Sequence, residues 1–172
     1  GRFNFNQQTR QGISYVRLVG GDEVYAVDGF LSMTMGQGFA AYRNKDILKV
    51  NKDNLTQILI NTLGSATILQ KNGNTWTQDS NPVDSTTLFN YLDGLQQITG
   101  NTFADDFDDV QSNNLLYKTL ALEGNNISTP LLIKAYRDTT RTSPFVIQSS
   151  LNPDNYFEIG ENELVEQLFG GW

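Results

Sequence analysis

The stretch SATILQKNGNTWTQ, residues 65–78, predicts two short antiparallel strands joined by a tight turn. Residues 66–70 and 75–77 are rich in types that favour strands. Asn72 and Gly73 lie between them and supply the positive φ angles that a two-residue hairpin turn requires. This hairpin is the starting point for the rest of the predicted fold.

The residues that follow the hairpin predict an amphipathic helix over 85–99. Asp84 is in position to cap its first turn, and Gly100 ends it. Its apolar side chains recur at helical spacing on one face: Leu88, Tyr91, Leu92, Leu95 and Ile98. Such a stripe must be buried against another element, and the hairpin is the nearest apolar surface in sequence.

Two other stretches resemble the same hairpin, YVRLVGGDEVYAV at residues 15–27 and PFVIQSSLNPDNYFEI at residues 144–159. Segments 54–61, 116–124 and 128–138 predict further strands. We therefore predict an α+β fold made of recurring β-hairpin-plus-helix units, with a mainly antiparallel sheet and short helices packed on one face. The units span residues 1–46 (truncated), 47–112 and 113–172, in one or two compact domains.

Composition excludes several kinds of chemistry. The 172 residues include no histidine and no cysteine. This rules out zinc sites built on imidazole or thiolate, cysteine nucleophiles and Ser-His triads. The formal net charge of −7 argues against nucleic acid as a partner and disfavours adsorption to anionic lipid.

An acidic cluster, FADDFDDV, brings four carboxylates close together in sequence: Asp105, Asp106, Asp108 and Asp109. Clustered carboxylates can bind calcium, but this spacing is not that of a calcium loop. We interpret the segment as a solvated acidic linker and predict no metal site, with ion binding as the open alternative.

No motif in the chain indicates a cofactor or an enzyme. GQGFAA, residues 36–41, matches the dinucleotide-binding pattern, but SMTM before it is a poor strand and no acidic residue follows about 20 positions later. No serine lies in a hydrolase motif. We therefore predict no cofactor and no enzymatic activity, although two acidic side chains that converge in space would leave a hydrolase open.

An aromatic residue recurs in the second strand of each hairpin: these three residues are Tyr25, Trp76 and Tyr156, with Phe157 as the alternative to Tyr156. Their recurrence favours a role in packing each hairpin against its helix. Exposed aromatic side chains also stack on sugars and peptides, so the same three residues are the candidates for a ligand-binding surface.

Four motifs together resemble domain of unknown function family 4340: YVRLVGGDEVYAVD, YRNKDIL, LQKNGNTW and VDSTTLFNYLDGLQQI. The resemblance extends over about residues 13–170. It implies a bacterial, extracytoplasmic protein on the periplasmic side of the inner membrane, held by an N-terminal anchor, with this sequence as its soluble portion. It implies no catalytic residue; Arg43 and Trp76 match positions of the pattern that we interpret as structural.

These observations favour a non-enzymatic interaction domain. The resemblance implies that it is accessory to a bacterial envelope or ABC-transporter-like complex, with a protein partner in the cell envelope. The resemblance implies membrane association only through the anchor. The alternative is a module that binds a glycan or peptide through aromatic side chains in a cleft between units, and a hydrolase based on converging acids is the third hypothesis.

Overall fold

The computed structural model describes residues 12–29, 38–160 and 162–170. The chain divides into two compact units, Gly1–Arg43 and Asn44–Trp172, called unit 1 and unit 2 below. The predicted boundaries at residues 46 and 112 stay predictions.

Unit 1 contains an antiparallel ribbon of β1 (Ile13–Val16) and β2 (Tyr25–Asp28). Val16 pairs with Tyr25 at the end of the ribbon nearer the turn. At the other end the Ser14 hydroxyl is buried and donates a hydrogen bond of 2.8 Å to the Gly29 carbonyl oxygen. A 3₁₀ turn follows at Phe39–Ala41.

Unit 2 is built on antiparallel strands. The strands are β3 (Asp46–Lys49), β4 (Leu55–Thr62), β5 (Ser65–Asn72), β6 (Thr75–Gln78), β7 (Asn81–Pro82), β8 (Gln97–Thr99), β9 (Thr102–Phe103), β10 (Leu116–Gly124), β11 (Leu131–Arg137), β12 (Phe145–Ser149) and β13 (Asn152–Ile159). Nine of them form one sheet in the order β7-β6-β5-β4-β10-β11-β12-β13-β9, and β3 pairs with β8. Unit 2 also contains the helices α1 (Ser85–Gly94) and α2 (Asn162–Phe169), and 3₁₀ turns at Lys52–Asn54 and Asn113–Leu115.

The structure confirms the hairpin of residues 65–78. β5 pairs with β6 and Asn72 lies opposite Thr75, so the turn residues are Gly73, with a φ of 62°, and Asn74. The predicted positive φ at Asn72 is wrong, because Asn72 is the last residue of β5. The predicted strands at 54–61, 116–124 and 128–138 correspond to β4, β10 and β11.

The predicted helix begins where expected but ends early. The Asp84 carboxylate accepts a 2.8 Å hydrogen bond from the Thr87 amide, which confirms the cap. The helix ends at Gly94, and Gln97–Thr99 form β8 instead of a last helical turn. Ile98 still reaches the core, but as a strand residue opposite Leu48 of β3.

The main hydrophobic core lies on one side of the nine-stranded sheet. The strands contribute fully buried side chains such as Ile58, Leu120 and Phe157. Both helices contribute to the same core, for example through Leu88 and Leu168. Burying a side chain of this size contributes about 1.5–3 kcal/mol, so this core provides most of the driving force for folding.

The predicted α+β class, with recurring hairpin-plus-helix units and short helices packed on one face, is wrong: the fold is mainly β. The described residues form mostly antiparallel strands and only two short α-helices. The hairpins and the helices that follow them do not form separate units, because strands from distant segments of the chain are hydrogen-bonded to one another. β4 pairs with β10, which places the second and third hairpins in a single sheet.

Candidate functional site

The three predicted aromatic candidates lie in different environments. Tyr25 is in unit 1, where 52% of it is exposed. Trp76 and Tyr156 are both in unit 2, but β6 and β13 stand six strand positions apart in the sheet. At about 4.8 Å per strand, roughly 29 Å separates these strands, so Trp76 and Tyr156 belong to separate surfaces.

Trp76 forms the floor of a groove of about 350 Å³ in unit 2. The groove, called the Trp76 groove below, is lined by Lys52, Lys71, Trp76, Leu88, Phe89 and Leu92, among others. Only 8% of Trp76 is exposed, and its ring also belongs to the main core. The hairpin β5–β6 supplies Trp76, and α1 supplies the apolar wall that includes the half-exposed Phe89.

Two lysines give the Trp76 groove its polar edge. The Lys52 ammonium bonds the Asp93 carboxylate and lies 3.8 Å from the centre of the Phe89 ring, a cation–π arrangement. The Lys71 Nζ lies 3.4 Å from the main-chain oxygen of Asp53. The groove can therefore contact an apolar group at its floor and a negatively charged or hydroxylated group at its edge.

Tyr156 is half-buried against the second core cluster and does not form an open platform. Its ring centre lies 5.2 Å from that of Phe107, which also packs against Tyr136. Burial raises the pKa of Tyr156 to about 12, and a hydrogen bond with Asp109 contributes to the same shift. This arrangement is typical of a packing residue.

The acidic cluster is distributed among contacts within the protein. The Asp106 carboxylate accepts a hydrogen bond of 2.7 Å from Arg141. Asp108 accepts hydrogen bonds from the amides of Val110 and Gln111, at 2.9 and 3.2 Å, and so closes a turn. Within residues 12–29, 38–160 and 162–170, no group of three or more acidic side chains is arranged so that it could hold a metal ion.

Sequence reasoning missed Arg141, which gathers three carboxylates. Its guanidinium bonds Glu158 at 2.6 Å and Asp106 at 2.7 Å, and lies 3.3 Å from Asp138. Only 16% of the Arg141 side chain is exposed. The Arg141 hydrogen bond is the main cause of the lowered pKa of Asp106. The cluster therefore links the acidic segment to β13 and to the β11–β12 loop.

Unit 1 exposes an unusual number of large apolar side chains. They are Ile13, Tyr15, Leu18, Val19, Val24 and Tyr25, called the ribbon surface below. Their exposed fractions range from 41% at Ile13 to full exposure at Val19. Single exposed apolar residues are normal, but six on one short ribbon indicate an interaction surface. The alternating sequence predicted the strands but not the exposure of these six side chains.

The strand edges of the two units differ. In unit 2 the outermost strands of the large sheet, β7 and β9, are two residues long, and Pro82 in β7 has no amide hydrogen to donate. Short edges that contain proline resist the addition of another strand. In unit 1, β1 and β2 have four residues each, and within the described residues each pairs only with the other.

The dinucleotide-like motif falls partly outside the described residues, which omit Gly36 and Gln37. The described remainder, Phe39–Ala41, is a single 3₁₀ turn. A turn of this length does not present the row of helix amides that binds a pyrophosphate.

Comparison with known protein families gives a match to this chain. A family model described as Domain of unknown function (DUF4340) matches residues 3–116, more than half of the chain. No curated protein and no solved structure matches the chain. None of the helices in the described residues is long and apolar enough to cross a membrane. The chain belongs to domain of unknown function family 4340, as its motifs predicted.

Proposed function

We propose that this chain is a non-enzymatic interaction domain of a bacterial envelope protein, accessory to an envelope or ABC-transporter-like complex. The extracytoplasmic location, on the periplasmic side of the inner membrane, rests on the family resemblance. The single observation that carries the interaction role is the ribbon surface of unit 1.

The partner in this proposal is a protein that contributes an extended segment beside β1 or β2. A two-stranded ribbon is only marginally stable by itself, so a third strand would stabilise it. Added strands gain affinity from main-chain hydrogen bonds and specificity from the side chains that they cover. Apolar residues such as Tyr15 and Val24 would supply that contact, at about 1.5–3 kcal/mol for each side chain that becomes fully buried.

Three carboxyl groups of unit 2 have the lowered pKa values of groups that are held ionised by hydrogen bonds, and these three are not candidates for a general acid. Asp84, Asp106 and Asp138 have pKa values shifted from the ordinary value, and all three shifts are downwards. Hydrogen bonds cause these shifts: from the Thr87 amide for Asp84, from Arg141 for Asp106 and from Thr140 for Asp138. A general acid needs a shift in the opposite direction.

Site-specific photo-crosslinking in native membranes tests the interaction role. A photoreactive residue at Tyr15 or Val19 of the full-length protein should give the same discrete adduct with an envelope protein. Leu63 is the matched control, since it is an exposed apolar residue at the β4–β5 turn of unit 2. The double substitution Val24→Ser and Tyr25→Ser should abolish the adduct. Absence of an adduct from both ribbon positions, or an equal adduct from Leu63, would overturn the proposal.

A glycan- or peptide-binding module is the second candidate, and the Trp76 groove favours it. The groove combines an aromatic floor, the exposed Phe89 ring and two ammonium groups within about 350 Å³. This volume lies at the lower end of the range for small-ligand sites.

Binding to glycan and acidic-peptide arrays tests the second candidate. A hit should quench the fluorescence of Trp76 and weaken with Phe89→Ser or Lys71→Glu. Lys49→Glu is the matched control, because it makes the same charge change at an exposed position outside the groove. Specific hits together with an empty crosslinking experiment would replace the first proposal by this one.

A further inference from the structure

The side of the nine-stranded sheet opposite the main core, called the outer face below, carries a continuous row of apolar residues. Leu59 lies opposite Ile68 on β5 and opposite Ala121 on β10, and Ala121 lies opposite Leu132 on β11. Paired residues of neighbouring strands point to the same side of a sheet. These four residues, the apolar row, therefore form a line across four adjacent strands.

The protein covers another part of the outer face itself. Tyr136 and Val146 are buried there beneath Ala104 and Phe107, which form a second core cluster. The apolar row remains accessible by comparison, with 43% of Ile68 and 36% of Leu132 exposed. Leu59 and Ala121 between them are half-buried. A line of aliphatic side chains that is exposed at both ends, beside a part of the same face that the protein covers, indicates a surface on which something else packs.

Opposite charges flank the apolar row. Glu123 lies two residues beyond Ala121 on β10, and Lys134 lies two residues beyond Leu132 on β11. Because β10 and β11 are antiparallel, these two positions fall on opposite sides of the row. Neither side chain forms an ion pair with a described residue.

We propose that the outer face is a self-association surface, on which a second copy of this chain packs its own apolar row. The two copies are related by a twofold axis that runs along the row. This rotation turns the outer face of the second copy toward that of the first and places its apolar row on the first one. It also exchanges the two flanks of the row, so that each flank of one copy faces the opposite flank of the other. Glu123 of each copy then lies on the side that carries Lys134 of the other.

The charges and the strand geometry both favour a second copy as the occupant. β10 and β11 are neighbours, about 4.8 Å apart, so a lysine side chain can reach the partner's carboxylate. Each interface would contain this ion pair twice. The axis also keeps the strands of the two copies nearly aligned, which is the common way for two sheets to pack about 10 Å apart. This surface uses none of the ribbon residues, so it goes beyond the proposed function.

Sedimentation velocity over a concentration series tests the dimer. The wild-type chain should show a reversible monomer–dimer equilibrium. Ile68→Ser should raise the dissociation constant by about tenfold or more, since it removes an exposed apolar contact. Leu63→Ser and Val19→Ser should leave it unchanged, because both positions are exposed and lie outside the row. Circular dichroism confirms that each variant is folded.

A charge-exchange experiment tests the orientation. Lys134→Glu and Glu123→Lys should each be monomeric, because each brings like charges together twice. An equimolar mixture of the two variants should dimerise again, since every contact then pairs opposite charges. The proposal is overturned if the wild type stays monomeric up to about 1 mM. It is equally overturned if the mixture associates no better than either variant alone.

Discussion

Replacing Gly124 by alanine should destabilise unit 2 through a steric clash with the main chain. Gly124 ends β10 and lies opposite Leu55 after a register shift in the β4–β10 ladder. A Cβ atom at this position would lie 2.2 Å from the main-chain oxygen of Asn54 and 2.9 Å from its carbonyl carbon. The same oxygen accepts a hydrogen bond of 2.8 Å from the Asn125 amide. Backbone in this position cannot move aside as a flexible side chain would.

The size of the effect follows from these contacts. Forcing an extra carbon into a packed site costs about 1–3 kcal/mol. Displacing the Asn54 oxygen also weakens its hydrogen bond with Asn125, which contributes about 0.5–1.5 kcal/mol. We therefore expect Gly124→Ala to lower the free energy of unfolding by about 2–4 kcal/mol, a large part of the 5–15 kcal/mol typical of a domain.

Urea unfolding followed by the fluorescence of the buried Trp76 measures this change. Gly94→Ala is the matched control: its Cβ would meet only the Gln167 side chain, at 3.5 Å. Because Gly94 ends α1 without a positive φ, alanine there should stabilise the protein by about 0.4–1 kcal/mol. Equal free energies of unfolding for Gly124→Ala and the wild type would refute the reasoning.

Further predictions concern the side chains of Tyr91, Arg141 and Tyr156. Tyr91→Phe should lower the free energy of unfolding by about 0.5–1.5 kcal/mol in urea melts, because the lost hydroxyl donates a 2.8 Å hydrogen bond to the Leu168 carbonyl oxygen in the last turn of α2. Arg141→Gln should lower the free energy of unfolding at pH 7. This difference from the wild type should become smaller in urea melts below pH 3.8, the ordinary pKa of the carboxyl group. The reason is that a lowered pKa, such as that of Asp106, stabilises the fold only while the group is ionised. The raised pKa of Tyr156 stabilises the fold below its ordinary pKa of 10.0, and this contribution should disappear as the pH rises toward about 12. Tyr156→Phe should accordingly remove a component of phenolate absorbance that appears near pH 12 in the native protein.

Local signals in the sequence predicted the local structure. Gly73 fixes the turn of the β5–β6 hairpin because few other residues adopt its φ of 62°. Asp84 fixes the start of α1 for a similar reason, since its carboxylate satisfies an amide of the first turn. Neither feature depends on residues far away in the chain, so both could be predicted.

Long-range pairing decided the parts that sequence reasoning missed. Ile98 has helical spacing from Leu95, but pairing with β3 draws Gln97–Thr99 into a strand. The mainly-β class follows from the pairing of β4 with β10, whose paired residues Asn61 and Thr119 stand 58 positions apart in the chain. In segments this short, the spacing of apolar residues fits a helix and a strand almost equally well, and only the strands that pair with the segment decide between them.

The candidate sites were harder to predict for the same reason. Trp76 is the floor of a groove only because α1 packs beside its hairpin. Arg141 is distinctive only because Asp106 and Glu158, 35 and 17 positions away, converge on it. The exposure of Tyr15 is a property of the folded ribbon, which no local sequence pattern records.

The two proposed interactions should leave different traces in the protein backbone. A strand that adds to unit 1 would bond the outward-facing amides of β1 or β2, so partner binding should slow their hydrogen exchange strongly. Packing on the apolar row would cover side chains such as Ile68 and Leu132, whose strands β5 and β11 already pair on both sides. The dimer should therefore change the exchange of those amides little while it protects the side chains from solvent. Strong amide protection in unit 1 without a partner would show that the chain associates through its ribbon instead.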